Sequence, residues 1–217
     1  MNSPYPDEQQ ASGRVLIDLF TSLDGVAQGP GGTDEDTSGG FRFSGWQAGY
    51  PSSGVGPEIE EGMRGLDALL LGRRTYDIFA AYWPHHTSGA SGDIGRLFNR
   101  VPKYVATRDA NLTLDWEGST RVGADIAVEV AAMRTAHREV HVIGSIDFVH
   151  TLLAEGLFDE LSLWVYPLLL GPGKKVFDDD ALPSVLRLSE PPIVDEAGVT
   201  LLRYARTDRV PQVGTFE

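Results

Sequence analysis

The chain contains no cysteine among its 217 residues, which excludes disulfide scaffolds, thiolate metal sites and cysteine nucleophiles. It also lacks an apolar run of the ~20 residues that a membrane-spanning helix needs. The stretch from Met1 to Ser12 has neither the basic nor the apolar region of a signal peptide. We therefore expect a cytoplasmic protein without membrane contact, in which residues 1–12 form a disordered leader.

Positive charge is also scarce. The chain has 18 Lys and Arg against 31 Asp and Glu, which gives a net charge of −13. Such an acidic protein repels phosphate backbones, so we expect no nucleic-acid partner. An anionic small molecule would require a local group of basic residues. The length suffices for one buried core, and we expect a single domain over residues 13–207, followed by a tail over 208–217.

Short apolar segments alternate with segments that have helical patterns. Val15 to Phe20 is nearly continuously apolar, as in a strand that is covered on both faces. The last two predicted strands follow each other without a helix. This order predicts an α/β fold with a mixed, mostly parallel central sheet, helices on both faces and an antiparallel C-terminal hairpin. The predicted strands are 14–20, 67–72, 103–107, 139–143, 160–167, 185–188 and 199–205, and the predicted helices are 57–66, 73–81, 125–137 and 146–155.

A long segment over residues 28–53 is rich in Gly, Asp and Ser but carries four aromatic residues, among them Trp46 and Tyr50. A solvated linker would not hold so many aromatics, so we expect a lid that packs over a ligand. Trp46, Tyr50, Tyr76 and Trp83 are candidate walls for the flat ring or sugar of a substrate. The alternative is that these aromatic side chains belong to the core.

Three predicted strands end in residues suited to bind anions. Gly72 is followed by Arg73, Arg74 and Thr75 at a helix start, where unpaired N–H groups and the helix dipole favour phosphate. The second junction begins with Gly144, which allows close approach of a ligand.

The residues of the second junction are Gly144, Ser145, Ile146 and Asp147. At the third junction, Thr107 and Arg108 could bind a ribose 2′-phosphate. Two such junctions at the carboxyl edge of one sheet indicate a dinucleotide site, although no G-x-G-x-x-G motif is present. The alternative is that these arginines only solvate the surface.

Asp24 follows the first predicted strand and is a candidate to orient the substrate or assist proton transfer. The alternative is a turn aspartate that bonds its own backbone. We expect no metal site, because the adjacent His85 and His86 lack a third ligand nearby. The segment 171–175 lacks the spacing of a phosphate-binding loop and is expected to be a turn.

Taken together, five motifs resemble the C-terminal reductase domain of the bifunctional riboflavin-biosynthesis deaminase–reductase (RibD) and the stand-alone dihydrofolate-reductase-like proteins related to it. The resemblance runs from residue 14 to about 205, with the motifs in family order. The motifs are Ser22–Gly25, Gly72–Tyr76, Val142–Ser145, Leu157–Leu161 and Pro167–Gly173.

The resemblance implies a three-layer dihydrofolate-reductase-like fold, a homodimer and NADPH as cofactor. It implies that Gly72–Thr75 and Gly144–Asp147 hold the phosphates, that Thr107 and Arg108 hold the 2′-phosphate, and that residues 25–27 border the nicotinamide. The three residues of that last group are Gly25, Val26 and Ala27.

The chain departs from the family in three respects. Many members have two glycines where Gly144 and Ser145 stand. The deaminase domain is missing, and no position matches the acidic proton-relay residue of dihydrofolate reductases.

We therefore expect an NADPH-dependent oxidoreductase that transfers hydride to a small polar heterocyclic or sugar-like substrate, similar to 5-amino-6-(5-phosphoribosylamino)uracil reductase and dihydrofolate reductase. One alternative is a protein of the same fold that binds a nucleotide or pterin without turnover, since fold does not imply activity. Another is a flavin-dependent protein that uses the same edge.

Overall fold

A computed structural model describes residues 12–50, 56–89 and 92–215. All of the predicted leader except Ser12 lies outside the described residues, as do residues 51–53 of the predicted lid and residues 216–217 of the tail.

Nine strands and five α-helices make up the described structure. The strands are β1 (Arg14–Ser22), β2 (Ala68–Gly72), β3 (Lys103–Ala106), β4 (Ser119–Val122), β5 (Glu139–Ile143), β6 (Glu160–Tyr166), β7 (Leu186–Leu188), β8 (Ile193–Val194) and β9 (Thr200–Arg206). The helices are α1 (Gly56–Gly62), α2 (Arg73–Tyr82), α3 (Gly92–Arg100), α4 (Ile126–Ala136) and α5 (Ile146–Ala154).

All nine strands form one sheet in the order β4-β3-β2-β5-β1-β6-β9-β7, with β8 also paired to β9. The first six strands of this order are parallel to one another. Strand β9 runs antiparallel to both β6 and β7. The predicted mixed, mostly parallel sheet is confirmed, and because its parallel strands point the same way, their carboxyl ends share one edge.

Helices cover both faces of the sheet because side chains alternate along each strand. Val15 and Ile17 of β1 pack in a core with α4 and α5, whereas Leu69 and Leu71 of β2 pack on the opposite face with α2 and α3. The predicted three layers are therefore present. Within the described residues, no helix is both long and apolar enough to cross a membrane.

Three of these elements were not predicted, namely α3, β4 and the two-residue strand β8. Helix α3 contains Gly92 and Gly95, which are poor helix formers. A Cβ atom at Gly95 would lie 1.9 Å from the carbonyl oxygen of His86, so only glycine permits this close packing. Strand β4 is an edge strand with partly exposed and exposed residues, and so lacks the apolar run that marks the inner strands.

Candidate active site at the carboxyl edge of the sheet

A large cleft of about 1770 Å³ opens at the carboxyl edge of the parallel strands. The N-termini of α2, α4 and α5 all reach it. Twelve of the residues proposed from the sequence line this cleft: Ala27, Gly72, Arg73, Arg74, Thr75, Trp83, Thr107, Arg108, Gly144, Ser145, Ile146 and Asp147. That they bind a cofactor or substrate stays a prediction.

The first two predicted phosphate junctions are hydrogen-bonded to each other. The backbone N–H of Gly72 donates to Ser145 Oγ at 2.9 Å, and the N–H of Ser145 donates to Thr75 Oγ1 at 3.0 Å. A Cβ atom at Gly72 would lie 3.2 Å from that of Ser145, so glycine allows the close approach. The N-termini of α2 and α5 are thus fixed side by side, with their dipoles and first-turn N–H groups at one cleft.

The backbone at the start of α5 is left-handed. Gly144 has a φ of 64° and Ser145 a φ of 61°, the latter being the only positive φ of a non-glycine residue among the described ones. This conformation costs roughly 1 kcal/mol for a residue with a side chain. The two hydrogen bonds to α2 hold Ser145 in it, which is typical of a backbone shaped to approach a ligand.

A carboxylate of the predicted lid binds two cations of the cleft. Asp36 forms an ion pair with Arg74 and another with Lys174 Nζ at 3.3 Å, while Lys174 also contacts Asp147 at 2.8 Å. Burial by itself would raise the pKa of Asp36, but hydrogen bonds from Ser38 and the two cations hold it below its ordinary value. The carboxylate of Asp36 therefore joins the segment 28–50 to the two cations at the cleft.

At the third junction, the N-terminus of α4 also lies at the cleft, although the sequence did not indicate it as part of the site. Asp125 caps α4 by accepting a hydrogen bond from Val128 N–H at 3.2 Å. The preceding Gly123 has a φ of 123°, and a Cβ atom there would lie 2.9 Å from the carbonyl oxygen of Thr107. Thr107 therefore lies directly beside the segment that leads into α4, and both Thr107 and Arg108 line the cleft.

Asp24 lies outside the lining of the cleft, and its proposed catalytic role stays a prediction. Its carboxylate accepts hydrogen bonds from Ser22 Oγ at 2.6 Å, Leu170 N–H at 3.1 Å and Gly171 N–H at 2.8 Å. The bond from Ser22, with those from the backbone, lowers the pKa of Asp24 to about 2 despite some desolvation. Asp24 is thus a turn aspartate that joins two loops and does not line the cleft.

Two neighbours of Asp24 also differ from expectation. Val26 is fully buried and pairs with Lys175, and neither Val26 nor Gly25 lines the cleft. Among the residues predicted to border the nicotinamide, Ala27 is the one that reaches the cleft.

Three of the four proposed substrate walls do not line the cleft. Trp46 and Tyr50 pack edge-on against Tyr166, with ring centroids 5.2 and 5.1 Å away. Tyr76 is buried, and its hydroxyl accepts a hydrogen bond from Trp116 N–H at 3.0 Å. Trp83 alone of the four lines the cleft.

Sequence reasoning missed the walls at the other end of the cleft. Phe20 follows the core residues of β1, and Ile59 and Met63 lie in and just after α1. Gln47 of the lid also faces this end and donates to the Tyr166 hydroxyl at 2.5 Å. The apolar i and i+4 spacing of Ile59 and Met63 was the available signal, but it is equally typical of a helix that faces the core.

Glu35 of the lid was also missed. Its carboxylate lines the cleft and accepts hydrogen bonds from the N–H groups of Gly31 at 2.5 Å and Gly32 at 2.9 Å. Burial raises the pKa of Glu35 despite these two bonds. The side chain therefore organises the tip of the lid.

Comparison with known proteins matches this architecture to one family. The family model of the RibD C-terminal domain matches residues 14–195. The uncharacterized protein YyaP of Bacillus subtilis (strain 168) is 25% identical over 168 residues, which cover 76% of this chain and 81% of that protein.

Solved structures show the same fold. A candidate riboflavin biosynthesis protein of Shewanella sp. PV-4 superposes with a TM-score of 0.69 at 20% identity, covering 89% of this chain and 99% of that one. RibD of Acinetobacter baumannii gives 0.58 at 16% identity, covering 91% of this chain but 59% of that one. Dihydrofolate reductase of Enterococcus faecalis, complexed with NADP(H) and RAB-propyl, gives 0.55 at 15% identity, covering 91% and 98%.

Proposed function

Because this chain belongs to the RibD C-terminal domain family, we propose that it is a reductase that binds NADPH along the carboxyl edge of its sheet. The observation that carries the proposal is the convergence of α2 and α5, whose N-termini are joined through Gly72, Thr75 and Ser145 at one cleft. Two helix dipoles directed at one point suit a pyrophosphate. The proposal also rests on the position of this edge in an open α/β sheet, where such ligands bind.

The pyrophosphate would lie against the first-turn N–H groups of both helices. A Cβ atom at Gly144 would lie only 3.5 Å from Thr75 Oγ1, so a side chain there would fill the space between the two helix starts. Arg74 and Lys174 would supply the positive charge, after exchanging Asp36 for phosphate. These residues fit a dianionic group within a strongly acidic chain.

The ribose 2′-phosphate would bind between Thr107 and Arg108. Both residues line the cleft beside the N-terminus of α4. Arg108 is exposed, and its guanidinium suits a bidentate bond to phosphate. The bond between Arg108 and the 2′-phosphate is the feature that would favour NADPH over NADH.

The nicotinamide would lie at the opposite end, beside Ala27 and Ile143. NADPH supplies a hydride when bound, so the work left to the protein is to orient the two reactants and exclude water. The lid residues Gly29 to Asp36, which line the cleft, would cover the site. The homodimer and the absence of nucleic-acid binding stay predictions.

Titration of purified protein with NADPH and NADH, followed by quenching of tryptophan fluorescence, tests this proposal. We expect the wild type to prefer NADPH and Arg108→Ala to lose that preference while keeping its affinity for NADH. Arg64→Ala is a matched control, because Arg64 pairs with Glu61 on the surface and does not line the cleft. An Arg108→Ala protein that still prefers NADPH would show that the 2′-phosphate site is assigned wrongly.

A further inference from the structure

The basic residues that line the cleft lie in one part of it, together with several carboxylates. All 18 Lys and Arg residues of the chain lie within the described residues, and those that line the cleft are Arg73, Arg74, Arg108 and Lys174. Each of them belongs to the half assigned above to the cofactor phosphates. The other half is lined by Phe20, Ile59, Met63, Phe79, Tyr82 and Ile143.

The ionic groups just behind this apolar end are mainly acidic. A cavity of about 30 Å³ adjoins Phe20, Ile59 and Met63, and it is lined also by Asp18, Glu58, Ser162 and Arg203. The cation Arg203 is paired with Glu190. The carboxylate of Asp18 bonds His141 Nδ1 at 2.9 Å. An anion placed at the apolar end would therefore meet carboxylates and a cation that already has a partner.

We propose that the substrate of this reductase is a flat, uncharged ring system that carries a carbonyl or imine carbon and lacks any phosphate or carboxylate. This inference rests on the proposed function above and names the substrate class of the same site. The rings of Phe79 and Tyr82 and the side chains of Ile59 and Met63 offer apolar contact to a flat ring. Burial of an unpaired anion among them would be strongly unfavourable.

Gln47 supplies a polar group that can orient the substrate. Gln47 lines the cleft and its Nε2 atom donates to the Tyr166 hydroxyl, whereas its Oε1 atom accepts no hydrogen bond from the described residues. In the reaction, the acceptor carbon gains the hydride with its two electrons, and the π bond of its C=O or C=N group breaks. The heteroatom then takes a proton from water, and NADPH becomes NADP⁺. This class excludes a phosphorylated substrate such as 5-amino-6-(5-phosphoribosylamino)uracil, which the reductase named in the resemblance reduces.

A matched pair of probes tests the inference. 2-Naphthaldehyde and 6-formyl-2-naphthoate share one flat ring and one aldehyde but differ by a carboxylate. We expect isothermal titration of the NADP⁺-saturated protein to show binding of the neutral aldehyde at least about tenfold tighter than the anion, because the anion would be buried without a cation. Equal or tighter binding of the naphthoate, or no binding of the neutral aldehyde, would overturn the inference.

A charge added to the wall should reverse this selectivity. In Met63→Lys, and in Ile59→Lys as a second variant should the first fail to fold, we expect the neutral aldehyde to lose affinity and the naphthoate to gain it. Val194→Lys adds the same charge at an exposed position on β8 outside the cleft and should leave both affinities unchanged. If folded wall variants keep the wild-type selectivity, the apolar end is not the substrate site.

Titration with NADP⁺ alone separates this inference from the proposed function. If NADP⁺ does not bind, the proposed function itself fails. If NADP⁺ binds but the two aldehydes are not discriminated, only the substrate class is wrong.

Discussion

Among single residues, Asp24 has a sequence position that suggests a catalytic carboxylate. In the structure this carboxylate accepts hydrogen bonds within a turn. The residue stands at the end of the first strand, where substrate and cofactor are expected to meet. Its three hydrogen bonds come from Ser22, Leu170 and Gly171, and the two backbone donors lie about 146 positions away in sequence. A contact between such distant segments leaves no local pattern, so the sequence could not separate the two roles.

We predict that Asp24→Asn destabilises the protein by about 1 kcal/mol at pH 7, the net value of a hydrogen bond to a charged group in a partly exposed turn. NADPH affinity should stay unchanged. Because the pKa of Asp24 falls from 3.8 to about 2 on folding, its contribution to the free energy of unfolding is present above pH 3.8 and is lost as the pH falls toward 2. Urea denaturation at pH 7 and pH 2 measures the difference. Loss of NADPH oxidation with unchanged stability would instead support a catalytic role.

The buried side chain of His141 gives the stability a pH dependence opposite to that from Asp24. Its side chain is 1% exposed, with Nδ1 2.9 Å from Asp18 and Nε2 3.7 Å from Glu139. Burial by itself would lower the pKa of His141, but the hydrogen bond and charge of Asp18, together with Glu139, raise it above 6.5. Stability from this group is therefore fully present below pH 6.5 and is lost as the pH rises through the higher folded value.

We predict that the Tm of the wild type falls between pH 6.5 and pH 9, and that His141→Gln removes most of this fall. His85→Gln, at an exposed position, is the control and should keep the wild-type profile. Thermal melts across this pH range provide the measurement. A wild-type Tm that is flat or rises over the same interval would contradict the ion pair.

At the scale of elements, the lid and α2 are held together by the contact of Asp36 with Arg74 and Lys174. The Asp36 side chain is only 11% exposed, so it occupies the position where we expect a phosphate to compete. Cofactor binding should therefore displace the lid carboxylate before the phosphate can pair with both cations.

We predict that Asp36→Asn binds NADPH roughly fivefold more tightly than the wild type, corresponding to the ~1 kcal/mol of a partly exposed ion pair. The matched control is Asp34→Asn, because Asp34 also lines the cleft and is exposed, with no ion pair among the described residues. Isothermal titration gives both affinities. Weaker NADPH binding by Asp36→Asn would show that the carboxylate shapes the site rather than competing for it.

Elements with a strong local signal could be predicted, and those defined by packing could not. The apolar strands and the Asp125 cap carry their own pattern, so the strand-to-helix junctions were found. Helix α3 was missed because Gly95 is required by the nearby carbonyl of His86, a contact that the sequence does not display. The aromatic residues Trp46 and Tyr50 were assigned to a substrate pocket, but their rings pack against Tyr166, which is more than 100 positions away in sequence.

Across the whole molecule, a chain of net charge −13 still places four cations in one cleft. These cations and three helix N-termini line the part of the cleft that we propose as the cofactor half, and apolar side chains line the part that we propose as the substrate half. The cofactor half was predictable because glycine and arginine follow the strands directly. The substrate half was not, because its walls come from the end of β1, from α1 and from α2, which only the fold brings together.

The most direct test of the central claim is a crystal structure of the protein with NADP⁺. Our account predicts the pyrophosphate at the N-termini of α2 and α5, the 2′-phosphate beside Thr107 and Arg108, and the nicotinamide beside Ala27 and Ile143. A pyrophosphate bound away from Gly72 and Gly144, or crystals without NADP⁺ at a saturating concentration, would contradict it.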